Sequence, residues 1–303
     1  MADTYNILIN QQSGTALAAG QEKIERWFSD SGLNVKNLCF AASEDIQEQH
    51  SRFLDTNTPL LIGGGDGTIA SIAPACIKHK KPFGILPMGT MNLLAKDLGI
   101  PDTSQAAIKA YAENAVVKTM DAGFVNDELF LCNASLGAIP ETTKIREGHR
   151  SMSETVIAPR LALFVMEHLD EMHHRPYGLH LGKGKKIKIK TPMLVIANNC
   201  YEDSGYNRDH SFKRESLNAN IMGVYSSQPY TFWDKIRFFL RLSQGGWKKD
   251  PIVKEWRSSS VKITSKNETE LVALDGENRK LKTPLMFRIE HNGLQVLVPG
   301  DDA

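Results

Sequence analysis

The chain has 303 residues, 41% hydrophobic and 23% charged, a globular composition with room for one large domain or two medium ones. Its 36 basic and 35 acidic side chains leave a net charge of +1, which carries no global signature of a nucleic-acid binder. Cys39, Cys76, Cys132 and Cys200 lie far apart without a CxxC pair, which suits free thiols in a reducing compartment rather than a zinc site or disulfide frame.

Met1–Tyr5 lacks the basic start of a signal peptide, and no stretch approaches the ~18 apolar residues of a spanning helix. The most apolar candidate, Leu161 to Leu169, is short and contains Glu167 and His168. A cytoplasmic protein without a transmembrane segment is expected.

The first third alternates strands with helical segments. Tyr5 to Asn10 is a buried-strand pattern, and Ala16 to Ser29 has helical spacing through Leu17, Ile24, Trp27 and Phe28. Pro59 to Ile62 is a second strand that runs into three glycines, and Phe83 to Leu86 is a third that stops at Pro87. Such alternation predicts a mostly parallel sheet covered on both faces. Beyond about residue 115 the pattern becomes antiparallel β. Val116 to Asp121 and Glu128 to Asn133 flank an Asn126-Asp127 turn. Lys186 to Lys190 alternates with period two, and Val261 to Thr264 is expected to pair with Leu271 to Leu274. Phe287 to Ile289 and Leu294 to Val298 flank a turn signal at His291-Asn292-Gly293. Helical insertions are expected near Pro159 to Met172 and Phe232 to Leu242.

The chemistry concentrates first in Ile62-Gly63-Gly64-Gly65-Asp66-Gly67-Thr68, directly after a strand. Glycines let a backbone approach a ligand closely, and successive N–H groups at a helix start can cradle phosphate oxygens. Asp66 would repel phosphate unless a cation lies between them, which makes it a natural Mg²⁺ contact. A structural turn, a Rossmann loop and a kinase loop compete here. The Rossmann reading lacks its acidic partner, since the next acid after Asp66 is Asp97. No Walker loop is present. A second strand-to-helix loop follows at Gly84-Ile85-Leu86-Pro87-Met88-Gly89-Thr90-Met91-Asn92, with Thr90 and Asn92 at the helix start. Two such loops belong at one carboxyl edge of a parallel sheet, where ligands bind.

Gly64 to Thr68 followed by Pro87 to Asn92 resembles the paired signature of the diacylglycerol kinase catalytic family, whose relatives include bacterial soluble lipid kinases and sphingosine kinases. Asn10-Gln11-Gln12-Ser13-Gly14 sits where that family has an Asn-Pro-x-Ser-Gly loop. Met120 to Gly123 resembles its Asp-x-Gly, Leu274 to Glu277 its late Asp-Gly-Glu, and Leu297-Val298-Pro299 its terminal ending.

The resemblance implies an ATP-dependent lipid kinase, with diacylglycerol as the default acceptor and phosphatidylglycerol, sphingoid or ceramide lipids as alternatives. It implies a nucleotide-binding α/β domain like those of NAD kinase and phosphofructokinase, over residues 1–122 with about 285–303 returning. A β-sandwich substrate domain would occupy residues 123–284. Asn10, Ser13, Gly64, Gly65, Gly67, Thr68, Gly89, Thr90, Asn92 and Glu277 would line the ATP site. Asp66 and Asp121 would position Mg²⁺, and Asp275 would act as general base on the lipid hydroxyl. Read without the resemblance, Asp275-Gly276 is a hairpin turn. A NAD kinase-like enzyme shares the GGDG loop but not the Pro-Met-Gly-Thr-Met-Asn or Asp-Gly-Glu motifs.

Three positions depart from the pattern. Gln11 and Gln12 replace a proline and a basic residue, so phosphate charge would be met by Mg²⁺, backbone dipoles or another cation. Leu217-Asn218-Ala219-Asn220 stands where many bacterial relatives have Leu-Asp-Asp-Gly, which resembles a structural Mg²⁺ site; that site is expected to be absent or weakened here. Both changes motivate a second reading, a regulatory protein on a kinase scaffold. Pro74 falls inside the helix expected after Thr68, where it should remove a hydrogen bond and kink the helix.

The lysines from Lys183 to Lys190 suit either an anionic lipid surface or a solvated hairpin. The stripe Phe232, Trp233, Ile236, Phe239, Leu240 suits either a membrane interface or the protein's own core. His173-His174 lack a third ligand and read as surface histidines. A peripheral approach to a membrane-borne lipid is expected, and sheet edges in the second half would suit a homodimer.

Overall fold

The computed structural model describes residues 4–138, 140, 175–182, 184–203, 205, 212–229 and 231–300. The helix expected at Pro159 to Met172, the pair His173-His174 and Lys183 lie outside them. The chain forms two compact units, Met1–Met120 with Asn292–Ala303 and Asp121–His291.

The first unit carries β1 (Thr4–Asn10), α1 (Gly14–Ala19), α2 (Gln21–Ser29), β2 (Asn34–Ala41), α3 (Ile46–Leu54), β3 (Leu60–Gly64), α4 (Asp66–His79), β4 (Phe83–Pro87), α5 (Leu93–Asp97) and α6 (Ser104–Glu113). Strand β5 (Ala115–Val125) then crosses into the second unit. The sheet order is β2-β1-β3-β4, every pair parallel, and the last strand of the chain joins β4 in parallel through Val296 and Leu297. Strands β3 and β4 are buried along their whole length, as expected for a sheet with helices on both faces. The Tyr111 hydroxyl of α6 accepts from the Ile85 N–H at 3.1 Å and donates to the Leu297 carbonyl at 3.0 Å, pinning β4 to that last strand. A side chain at Gly84 would collide with it, since a Cβ there would lie 2.9 Å from the same oxygen.

The single helix expected over Ala16 to Ser29 is two helices, because Gly20 takes φ 76° and ψ 156° between them. Helix α4 runs through Pro74, which lies on its exposed side, so the Ala70 carbonyl forgoes its helical bond next to water rather than in the core.

The second unit holds β6 (Glu128–Phe130), β7 (Asn133–Gly137), β8 (Arg175–Leu181), β9 (Lys185–Thr191), β10 (Met193–Asn198), β11 (Met222–Ser227), α7 (Phe232–Gln244), β12 (Val253–Ser258), β13 (Ser260–Thr264), β14 (Thr269–Leu274) and β15 (Glu277–Lys282). Strand β16 (Leu285–Pro299) closes the chain and returns to the first unit. One sheet is antiparallel in the order β12-β11-β10-β7-β14-β15. The other runs β16-β13-β8-β9, also antiparallel. Their inward faces meet in one core, to which Leu136, Leu194, Val224 and Val272 come from the first sheet and Leu179, Ile189, Ile263 and Phe287 from the second.

Two sequence expectations change here. The segments at Val261 and Leu271 do not pair: β13 bonds β8 and β16, whereas β14 bonds β7 and β15. Both are apolar on one face, and facing each other across the core satisfies that pattern as well as pairing edge to edge. His291-Asn292-Gly293 is no hairpin turn either. Asn292 takes φ 51°, yet β16 continues through it and exchanges an antiparallel partner, β13, for a parallel one, β4.

Candidate functional site

Three loops meet at the carboxyl ends of β1, β3 and β4. The Asn10 amide donates to the Thr68 hydroxyl at 2.8 Å, and its carbonyl oxygen accepts from the Gln12 N–H at 3.0 Å and the Ser43 hydroxyl at 3.2 Å. The Ser13 hydroxyl donates back to the Asn10 carbonyl at 2.8 Å. The Thr15 N–H reaches the Met88 carbonyl at 3.0 Å, and the Met88 N–H reaches the Gly64 carbonyl at 3.0 Å. Asn92, at φ 48°, accepts from the Gly89 N–H at 2.9 Å and donates to its carbonyl at 2.8 Å.

Glycine is required where these loops touch. A Cβ on Gly89 would lie 2.5 Å from the Gly65 Cα, and one on Gly64 would lie 2.6 Å from the Thr68 side chain. The result is a bare backbone surface leading into α4, whose first turn contains Asp66, Gly67 and Thr68. Its amide dipoles favour an anion. Asp66 accepts from the Leu94 N–H at 3.4 Å, and Thr90 is exposed on the third loop. These three loops, residues 10–15, 63–68 and 87–92, contain one carboxylate and no Lys or Arg. That donor set fits a magnesium-bound phosphate, since Mg²⁺ is commonly held by one or two carboxylates together with the phosphates themselves.

The second unit holds two acidic candidates, Asp121 and Asp275. Asp121 was expected to share Mg²⁺ with Asp66. Its side chain is fully buried, with one oxygen accepting from the Asn220 N–H at 2.7 Å and the other 2.8 Å from His291 Nδ1. Its backbone N–H donates to the Leu217 carbonyl at 2.7 Å, and its carbonyl accepts from the Asn198 amide at 2.8 Å. Each carboxylate oxygen has a protein partner, and through the Asn220 N–H Asp121 ties down the 217–220 loop. The same loop is fixed by the Ala219 N–H on Asn199 Oδ1 at 2.9 Å and by Ser216 donating to Asn218 at 2.9 Å. His291 carried no signal in the sequence, because its partner lies 170 positions away.

Asp275 and Gly276, both at positive φ, form the two-residue turn between β14 and β15. The Asp275 carboxylate accepts three backbone N–H groups, from Leu131 at 2.6 Å, Cys132 at 2.8 Å and Asn133 at 3.0 Å. Three of roughly four acceptor positions on a carboxylate are thereby taken. These contacts fix the carboxylate in place and leave about one acceptor position on it. Glu277 opens β15 and pairs with Arg279 at 2.9 Å, partly exposed. A surface groove of about 570 Å³ beside β2 and α3 is lined by Gln11, Asn37, Cys39, Gln49 and Arg52 and contains none of the predicted site residues.

A family model for the diacylglycerol kinase catalytic domain matches residues 4–125. Over those residues, less than half of the chain, it is similar to that catalytic domain. It is 40% identical over 115 residues to a Citrobacter koseri protein named probable lipid kinase YegS-like, covering 36% of this chain and 38% of that one. It is 33% identical over 144 residues to the diacylglycerol kinase of Bacillus subtilis, covering 45% and 46%. The chain thus spans less than half the length of these relatives. A crystal structure of a diacylglycerol kinase from Bacillus anthracis superposes with a TM-score of 0.65 at 14% identity, covering 98% of this chain and 97% of that one. Another structure from that organism reaches 0.73 at 15% identity, with 97% of each chain covered. At those identities the likeness establishes the fold.

Proposed function

We propose that the chain is an ATP-dependent kinase that transfers a phosphoryl group to a lipid hydroxyl, with diacylglycerol as the acceptor. The observation that carries this reading is the family match over residues 4–125 together with the stitched, glycine-lined loops at one edge of the parallel sheet. ATP supplies the phosphoryl group. Residues 63–68 offer backbone N–H groups to its phosphates, and the first turn of α4 adds its dipole. Asn10, Thr68, Gly89 and Asn92 keep that surface in shape through their mutual bonds. Asp66 and phosphate oxygens would hold Mg²⁺. The acceptor lies at a membrane surface, so the protein works there peripherally; among the described residues no helix is long and apolar enough to cross a membrane.

A second reading has an observation in its favour. Asp121 and Asp275 are both engaged by the protein itself, which suits a nucleotide-binding protein without transfer activity. Radiolabelled ATP and mixed micelles of diacylglycerol, phosphatidylglycerol or a sphingoid base separate the two. Under the kinase reading, Mg²⁺-dependent label enters one lipid and falls on the order of a hundredfold or more in Asp66→Ala. ATP binding with no transfer to any lipid would establish the second reading.

A further inference from the structure

The sheet β16-β13-β8-β9 of the second unit buries one face in the core and presents the other to solvent. Alternation sends Ile187 and Ile189 inward and leaves Lys186, Lys188 and Lys190 exposed on the opposite face of the edge strand. Strand register extends that basic face across the sheet. Lys186 lies opposite His180, His180 opposite Lys262, and Lys262 opposite Met286, which is 49% exposed. Arg288, two residues along the same face of β16, packs over the Phe124 ring at 4.0 Å. Within these four strands Glu290 is the sole carboxylate, 3.8 Å from Arg288 at the far end of the basic row. In a chain of net charge +1, this is a marked local concentration of positive charge.

We propose that this outward face docks on the anionic headgroups of a phospholipid bilayer. The choice of a bilayer as partner rests on the lipid-kinase reading; the charge and its arrangement do not. A broad sheet face with lysines on successive rows matches a plane of phosphates, and Met286 adds an apolar contact at its margin. In helix α7, the other candidate, both arginines are already engaged. Arg237 binds Asp250 at 3.1 Å and Asp234 at 2.9 Å, and Arg241 donates to the Lys249 carbonyl at 2.8 Å. Phe238 and Leu242 of α7 pack on the cluster of Tyr201, Tyr225 and Trp247, whereas Trp233 and Leu240 of the stripe read in the sequence are exposed.

The test is co-sedimentation of the full chain with phosphatidylcholine vesicles that contain or lack phosphatidylglycerol. The variant is Lys186→Glu/Lys188→Glu/Lys262→Glu; the control is Lys254→Glu, exposed on the other sheet. The expected result is retention by anionic vesicles alone, released by high salt, weakened at least about tenfold in the triple variant and little changed in the control. Wild-type affinity in the triple variant would overturn the proposal, as would failure of the wild type to bind anionic vesicles. Equal retention by duplex DNA at the same ionic strength would overturn it in favour of a nucleic-acid partner. A soluble short-chain acceptor separates docking from chemistry: the triple variant keeps wild-type turnover on it if the face only docks, and loss of that turnover would overturn the docking role. If the wild type transfers phosphate to no acceptor, the kinase reading fails while the vesicle result still decides the surface.

Discussion

The Asp275 carboxylate shows how one side chain can be committed by its surroundings. Its three N–H contacts organise the chain between β6 and β7, at Leu131, Cys132 and Asn133. Asp275→Asn keeps the size of the group but turns an amide nitrogen towards either one or two of those donors. The Leu131 N–H then has no acceptor if the remaining oxygen serves Cys132 and Asn133. Leaving a buried donor unmet costs about 1–3 kcal/mol, so urea unfolding should show a loss of that size. Activity measured on the same sample distinguishes the roles. A positioning residue loses stability and turnover together, whereas a general base loses turnover with the unfolding midpoint unchanged. Asp121 shares the pattern, since its oxygens serve Asn220 and His291 within the second unit.

Among the elements, α7 depends on a few polar contacts at its ends. Thr231 and Asp234 form a reciprocal capping box, and Asp250, whose side chain is fully buried, draws in Arg237 and accepts the Ile252 N–H at 3.1 Å. Asp250→Ala would leave the buried Ile252 N–H without its acceptor and Arg237 with Asp234 alone, and the expected cost is about 2 kcal/mol by urea denaturation. Thr231→Ala should cost about 1 kcal/mol by the same measurement. This helix was legible in the sequence because its apolar spacing is strong and both ends carry signals. Strands β1, β3 and β4 were legible for a related reason: burial on both faces leaves uninterrupted apolar runs. The pairing of β13 and β14 was not legible, because a one-sided apolar pattern is the same whether two strands share a sheet or face each other. The continuation of β16 through Asn292 was hidden by a residue type that serves turns and mid-strand irregularities alike. The glycine loops announced their proximity to one another through composition, but the Asp121–His291 contact could not be seen, since no local pattern links positions so far apart.

At the scale of the molecule, stability should depend on pH through a buried imidazole that takes no part in the proposed chemistry. His50 of α3 is 1% exposed and lies 3.3 Å from the Cys76 sulfur of α4. Burial, followed by the nearby His79 and the Lys81 ammonium, lowers its pKa to about 4. The folded state therefore holds His50 neutral, while the unfolded chain takes up a proton near the ordinary value of 6.5. Above pH 6.5 neither state is protonated and the full stability is present. As pH falls towards 4 the unfolded state alone gains the proton, and stability is lost by about 2 kcal/mol between pH 7.5 and pH 5. Cys76 does not offset this, because burial raises its thiol to about 12 and any thiol-linked loss lies on the alkaline side. Urea unfolding across pH 5 to 7.5 measures the slope directly. His50→Gln removes the titrating group and should flatten the dependence, whatever it does to stability at pH 7.5. An unchanged slope in that variant would place the acid sensitivity in other groups, outside the α3–α4 packing.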